Sequence, residues 1–124
     1  MNVLNLLKSF DDLSEYWSPR VIGRVNQSFI KIAKAKGEMV WHDHSEEDEF
    51  FLVLKGELRI DLEDRAVILG PMDTFTVPHG VKHRPVAKEE TWLVLIELAS
   101  TKHTGDVASD LTRSVDDQLE WLNA

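Results

Sequence analysis

Three of the five histidines in this chain are spaced so that they could bind a metal ion together with one glutamate. His42 and His44 are two residues apart, and residues two apart on a strand point to the same face of a sheet. Glu49 begins an apolar run that reads as the next strand, and His83 follows a later turn. Three imidazoles and one carboxylate suit one divalent Fe, Mn, Ni, Co, Cu or Zn ion, whereas calcium prefers oxygen ligands. Four such ligands would leave two positions of a six-coordinate ion open for water, substrate or dioxygen.

An isolated pair of histidines one residue apart is a weak indication of metal binding, because most such pairs lie on the surface or bond to protein groups. Here the pair lies inside a longer pattern, G-x4-H-x-H-x4-E-x6-G, which runs from Gly37 to Gly56. A second pattern, G-x7-P-x-G-x2-H, runs from Gly70 to His83. In this order the two patterns resemble the two motifs of the cupin family, and together they cover residues 37 to 87.

This resemblance implies an all-β fold, the cupin double-stranded β-helix or jelly-roll barrel, with His42, His44, Glu49 and His83 around the metal. Sequences that flank the motifs are similar to a subgroup of small bacterial single-domain cupins that are labelled mannose-6-phosphate isomerase-like. The label describes sequence relatedness, so it implies the fold and a metal more firmly than an isomerase activity. Two positions depart from the pattern: the gap before His42 is four residues instead of five, and Ala87 stands where cupins usually have asparagine.

Short apolar runs separated by turn residues position these side chains. They predict eight strands, which is typical of an all-β sandwich or barrel: Ser28–Ala33, Glu38–His42, Phe50–Leu54, Glu57–Leu62, Ala66–Leu69, Thr74–Val77, His83–Ala87 and Thr91–Leu98. We expect one domain, residues 1–124, with a barrel core at about 28–98, a short helical N-terminal segment at 1–27 and a tail at 99–124. Ser114, with Asp117 three residues on, predicts a last helix through Gln118, Leu119 and Trp121.

Two of the predicted strands are apolar on both faces. The runs Phe50–Leu54 and Trp92–Ile96 lack the alternation of a barrel wall with one face in water. Their outer face therefore needs a cover, which could be a second sheet, the N-terminal segment or another subunit; we favour a homodimer. Five side chains are expected to line the barrel interior: Phe51, Val53, Phe75, Val77 and Val94.

Composition excludes several classes of function. The chain of 124 residues has no cysteine, which excludes disulfides and thiolate ligands and suits the cytoplasm. Its formal net charge of -8 opposes nucleic-acid binding, which depends on Lys and Arg neutralising phosphates. We also expect no membrane partner, since no apolar run approaches the roughly 20 residues of a membrane span.

The expected partner is a small-molecule ligand or substrate. One hypothesis is a metal-dependent enzyme, either an isomerase or lyase or a dioxygenase, and the alternative is a non-catalytic small-ligand or sugar-binding module. A sugar phosphate would need cationic anchors, and the candidates are Lys55, Arg59, Lys82 and Arg84, none of them clearly directed inward. Catalytic residues stay unassigned. His79 and His103 are expected to be surface residues, and Trp41 should point away from the metal because it alternates with His42.

Overall fold

The computed structural model describes residues 2–120 and forms a seven-stranded antiparallel barrel with short helices at both ends. In chain order the elements are helix α1 (Leu6–Ser9), a 3₁₀ turn (Phe10–Asp12), strands β1 (Arg20–Val25), β2 (Ser28–Glu38), β3 (Glu49–Lys55), β4 (Leu58–Leu62), β5 (Ala66–Leu69), β6 (Thr74–Val77) and β7 (His83–Leu98), and helix α2 (Val115–Glu120). The all-β jelly-roll prediction is confirmed, as are the two terminal helical segments. Trp121, which we expected in the last helix, lies outside the described residues.

The long strand β7 organises the barrel. Along one edge it pairs with β2, and along the other edge its first half pairs with β4 and its second half with β3. Strand β6 extends the sheet beyond β3, and β5 pairs with β4. Because β7 pairs with β2 along one edge and with both β3 and β4 along the other, the sheet closes around an interior instead of lying flat.

Three strand predictions were wrong in their extent. The runs His83–Ala87 and Thr91–Leu98 are one continuous strand, since residues 88–90 stay extended. Residues 38–42 do not form a strand of their own. Strand β2 instead continues to Glu38. At Gly37, whose φ is +90°, the pairing with β7 shifts register, and the strand continues past this point without a turn. Strand β1 was missed, and it pairs with β2 through a tight turn at Asn26.

The interior of the barrel is apolar, and Phe51, Val53 and Val77 lie in it as expected, with Phe75 packed against it. Val94 does not line the interior. Its neighbours Leu93 and Leu95 do, because successive side chains of β7 point to opposite faces and the face of Leu93 and Leu95 is the one turned to the core.

The N-terminal segment covers part of the outer face of the sheet. Phe10 and Leu13 are buried in a second apolar cluster with Ile32 and Val94. The ring of Phe10 stacks on Trp92, with 4.7 Å between ring centroids. The outer face of the strands that are apolar on both faces is thus covered around Trp92 and Val94 by the N-terminal segment, which is one of the three covers considered above. No helix of the described residues is long and apolar enough to cross a membrane.

Candidate metal centre

Backbone pairing at one end of the barrel brings the four sequence-predicted residues together. His42 and His83 form an antiparallel bridge, with N–H···O distances of 3.1 and 2.9 Å between their backbones. Glu49 is the first residue of β3, and the backbone oxygen of His44 accepts the N–H of Gly80 at 2.7 Å. All four side chains are buried. Residues separated by up to 41 positions in sequence thereby share one space inside the barrel mouth.

The donor atoms of the four side chains converge. One nitrogen or oxygen from each lies within 4.8 Å of all the others. Nε2 of His83 is 3.1 Å from Oε1 of Glu49, and Nε2 of His44 is 3.8 Å from the same oxygen. The ring centroids of His42 and His83 are 4.4 Å apart. The four residues therefore form one cluster that could hold an ion.

Hydrogen bonds to the backbone set the tautomer of two of the rings. Nδ1 of His42 lies 2.8 Å from the oxygen of Val40, and Nδ1 of His83 lies 2.9 Å from the oxygen of Val81. A carbonyl oxygen only accepts, so each Nδ1 carries the proton and each Nε2 presents a lone pair. Such support from the backbone is typical of histidines that bind metals.

His44 supplies a direct test of whether a metal fits this cluster. Both of its ring nitrogens are buried and lack a hydrogen-bond partner among residues 2–120. A buried polar group without a partner costs free energy, and such groups in native proteins are nearly always satisfied. A cation bound to Nε2 would satisfy one of these two nitrogens, so the residues present fit a divalent ion.

The electrostatics of the cluster keep the imidazoles neutral, the form that metal binding requires. Burial, followed by the charge of His83, lowers the pKa of His42 to about 4. Burial, followed by the charge of His42, lowers the pKa of His44 to about 4. Burial also lowers the pKa of His83 and raises the pKa of Glu49.

A buried ion pair behind the cluster was missed by sequence reasoning. Nζ of Lys31 lies 2.7 Å from Oε1 of Glu97, and their side chains are 1% and 5% exposed. Glu97 lies directly opposite Glu49 in the β3–β7 ladder, and burial and the Glu49 charge raise the pKa of Glu97 to about 8. Glu97 shares the inward phase of Leu93 and Leu95, but this run is apolar on both faces, so its sequence does not show which phase points inward.

His103 was expected to be solvated, and this expectation was wrong. The tail folds back over the barrel mouth and places the ring in a cavity of about 40 Å³ beside His42, Glu49 and Glu97. The remaining walls of the cavity are mainly apolar side chains, among them Trp17, Met39, Phe51, Leu93 and Leu95. No local pattern around His103 pointed to this position, since it depends on where the tail packs.

Other sequence-predicted positions lie outside the cavity. His79 is on the surface and pairs with Asp48 at 3.0 Å. Trp41 is 40% exposed and points outward, with the Arg84 guanidinium 5.3 Å from its ring centroid. None of the four candidate phosphate anchors lines the metal cavity: Arg59 and Arg84 pair with Asp61, Lys55 lies over the Trp92 ring, and Lys82 is exposed.

Fold and site together define a small antiparallel β-barrel protein with a buried cluster of three histidines and a glutamate that could hold a metal. The chain belongs to the cupin family, because the model of the cupin domain matches residues 28–98. It is 37% identical over 81 residues to the uncharacterised protein YdbB of Bacillus subtilis (strain 168), an alignment that covers 64% of this chain and 72% of that protein.

Solved structures share the fold. A cupin-2 domain protein from Shewanella frigidimarina is 40% identical, with a TM-score of 0.76 over 77% of this chain and 94% of that chain. A hydroquinone 1,2-dioxygenase, PnpCD, solved in complex with Cd²⁺ and 4-hydroxybenzonitrile, is 18% identical, with a TM-score of 0.67 over 76% of this chain and 71% of that chain. At that identity the dioxygenase shows a common fold alone.

Proposed function

We propose that His42, His44, Glu49 and His83 bind one divalent transition-metal ion, and that the protein is a metal-dependent enzyme acting on a small molecule. One observation carries this proposal: buried donor atoms of all four residues converge, and His44 has no other partner within the described chain. Fe, Mn, Ni, Zn, Co and Cu are all compatible with this set of ligands.

When bound, the ion would supply Lewis-acid chemistry or, if redox-active, a place for dioxygen. The chain contributes the surroundings. The apolar walls exclude water, which strengthens polar contacts inside the cavity. Oε2 of Glu97 is buried without a hydrogen-bond partner among residues 2–120, while Oε1 is held by Lys31. The Glu97 carboxyl group lines the cavity beside Glu49, and its raised pKa makes it a candidate to exchange a proton with a bound molecule.

An isomerase or lyase and a dioxygenase both remain compatible with this site. The mannose-6-phosphate isomerase-like label is supported by sequence resemblance alone, and two features oppose a sugar phosphate as substrate. The candidate cationic anchors lie outside the cavity, and a cavity of about 40 Å³ holds roughly three waters. The second candidate function is a non-catalytic module that binds a small ligand through the ion.

Metal analysis of native protein tests the ligand assignment. We expect about one equivalent of transition metal per chain in the wild type and a strong loss in His42→Ala and His83→Ala. His79→Ala is the matched control, because it removes an exposed histidine that lies outside the cluster. Equal metal content in all four proteins would refute the assignment. Turnover on a panel of small molecules with defined metals then separates the enzyme from the binding module.

A homodimer is also proposed. Ile96 and Leu98, on the outer face of β7, are 38% and 39% exposed beyond the part that the N-terminal segment covers. Ile96 pairs in the ladder with Phe50 on one side and Ile30 on the other, which extends this apolar strip across three strands. A second copy of the chain packed on the strip would bury it.

A further inference from the structure

The segment Thr101–Asp106 packs tightly over the mouth of the barrel. Thr101 and Thr104 are fully buried, and Oγ1 of Thr104 is 2.6 Å from Oγ1 of Thr112. Gly105 has a φ of +58°, and a Cβ at this position would collide with the backbone oxygen of Asp43. Asp43 stands between His42 and His44, so the tail segment is seated directly against the metal-cluster loop.

The packing of this segment determines which ring nitrogen of His103 accepts a hydrogen bond and which one can donate. The backbone N–H of Arg113 donates to Nδ1 of His103 at 2.8 Å. A ring nitrogen that accepts a hydrogen bond carries no proton, so in the neutral ring the proton is on Nε2. Burial, with the charge of Lys31 next, lowers the pKa of His103 to about 3, which keeps the ring neutral at physiological pH. His103, which lines the cavity, therefore has one N–H donor to offer, at Nε2.

We propose that His103 is a ligand-contacting residue whose Nε2–H donates to an oxygen of a small carboxylate bound at the metal. This inference rests on the proposed metal-dependent function. Its basis is the shared cavity, which His103 lines together with His42, Glu49 and Glu97. A molecule that reaches the ion there lies beside the donor.

Charge and volume indicate the carboxylate class. Glu49 neutralises half of the charge of a divalent ion, and Glu97, whose pKa is raised to about 8, is mostly protonated at neutral pH, so positive charge is left in the cavity for an anion. Glu49 accepts hydrogen bonds, whereas His103 is a donor among the residues that line the cavity. The volume of about 40 Å³ suits a molecule of a few heavy atoms, such as acetate.

Acetate binding to full-length protein loaded with Co(II) tests this role through the visible absorption of the ion. A hydrogen bond to a charged acceptor corresponds to roughly a 10- to 100-fold change in affinity. We expect His103→Ala to weaken acetate binding by that factor with cobalt content unchanged. His103→Gln, which keeps an N–H donor, should recover part of the affinity, and His79→Ala should match the wild type.

Several outcomes would overturn the proposal. If cobalt-loaded His103→Ala binds acetate as tightly as the wild type does, His103 does not contact the ligand. If that variant loses cobalt, His103 belongs to the metal site or supports the fold instead. If the wild type binds cobalt but acetate leaves its spectrum unchanged, the carboxylate class is wrong. Failure of the wild type to bind cobalt would refute the proposed function itself. Independently of any variant, ¹⁵N NMR of the labelled ring must show a protonated Nε2 and an accepting Nδ1.

Discussion

Lys31 and Glu97 form a buried pair inside an otherwise apolar barrel. Taking such a pair out of water is costly, and the cost is offset only while the two remain in contact. Three ionisable residues in contact also mean that a change at one alters the charge balance of the others.

Removing one member of this pair should be strongly destabilising. We expect Lys31→Met to lower the free energy of unfolding by about 3–5 kcal/mol, because Glu97 is left buried beside Glu49. The double variant Lys31→Met/Glu97→Leu should lose less than the single one. Arg59→Met, which breaks a more exposed pair with Asp61, should cost about 1 kcal/mol or less. Urea denaturation of the four proteins measures this, and a Lys31→Met variant as stable as the wild type would contradict it.

The buried histidines predict how the stability of metal-free protein changes with acid. The pKa values of His42 and His44 are about 4 and that of His103 about 3, all below the ordinary value of 6.5. Between these values the unfolded chain binds more protons than the native state, so stability must fall as pH falls through this window. Glu97, with its pKa raised from 4.5 to about 8, has the opposite sign and loses stability as pH rises through that range.

Chelator-treated protein should therefore be most stable near pH 6 to 7, with a fall on either side. Thermal melts between pH 4 and 8 check this, and His103→Gln should make the acid limb shallower. A stability that rises steadily toward pH 4 would contradict the buried, neutral histidines. His79→Ala is the control, since this ring is exposed.

At the scale of elements, the N-terminal segment acts as a lid on the outer face of the sheet. Helix α1 has only four residues, and an isolated helix of that length is unstable in water. Its position depends on Phe10, which is fully buried against Trp92 and Val94. Stability of this segment therefore comes from tertiary packing and not from helix propensity.

Phe10→Ala should remove much of that packing. We expect a loss of about 3–5 kcal/mol in the free energy of unfolding, since a buried aromatic ring is replaced by a methyl group. Leu7→Ala, on the same segment, should cost well under 1 kcal/mol, because Leu7 is 59% exposed. Chemical denaturation compares the two, and similar costs for both would show that the lid does not pack as described.

For the whole molecule, loss of metal should weaken the fold without abolishing it. The barrel has an apolar core that does not depend on the ion, in contrast to a zinc finger. Binding to the native state alone adds about 2.7 kcal/mol when free metal is a hundredfold above Kd. Chelation at neutral pH should thus lower the Tm by roughly 10 °C and leave the β-type circular dichroism in place. Loss of the β signal on chelation would show instead that the ion is required for folding.

The oligomeric state is a second property of the whole molecule. Light scattering at micromolar concentration should give about twice 14.2 kDa. Ile96→Asp should give a monomer, since a charge would be buried in the apolar strip between copies. Ile68→Asp is the control, because Ile68 is 63% exposed on β5, away from the strip. A wild-type monomer would mean that the strip stays in water.

The sequence by itself determined what depends on local spacing. The two motifs predicted the family and the grouping of His42, His44, Glu49 and His83, because one motif leads into β3 and the other leads into β7. Phe51 was predicted as a core residue because it shares a face of β3 with Glu49, and the prediction of Val77 as a core residue is confirmed as well. The cytoplasmic location and the homodimer remain predictions.

Only the tertiary structure decided which distant segments complete the site and the core. A strand apolar on both faces does not reveal which phase points inward, so Val94 was assigned to the wrong side and Glu97 was overlooked. Phe10 and His103 lie in terminal segments, and their burial depends on where those segments pack on the finished barrel. The physical reason is that strand and turn preferences act over a few residues, whereas the cover and the cavity result from contacts between segments more than 80 residues apart, such as Phe10 with Trp92.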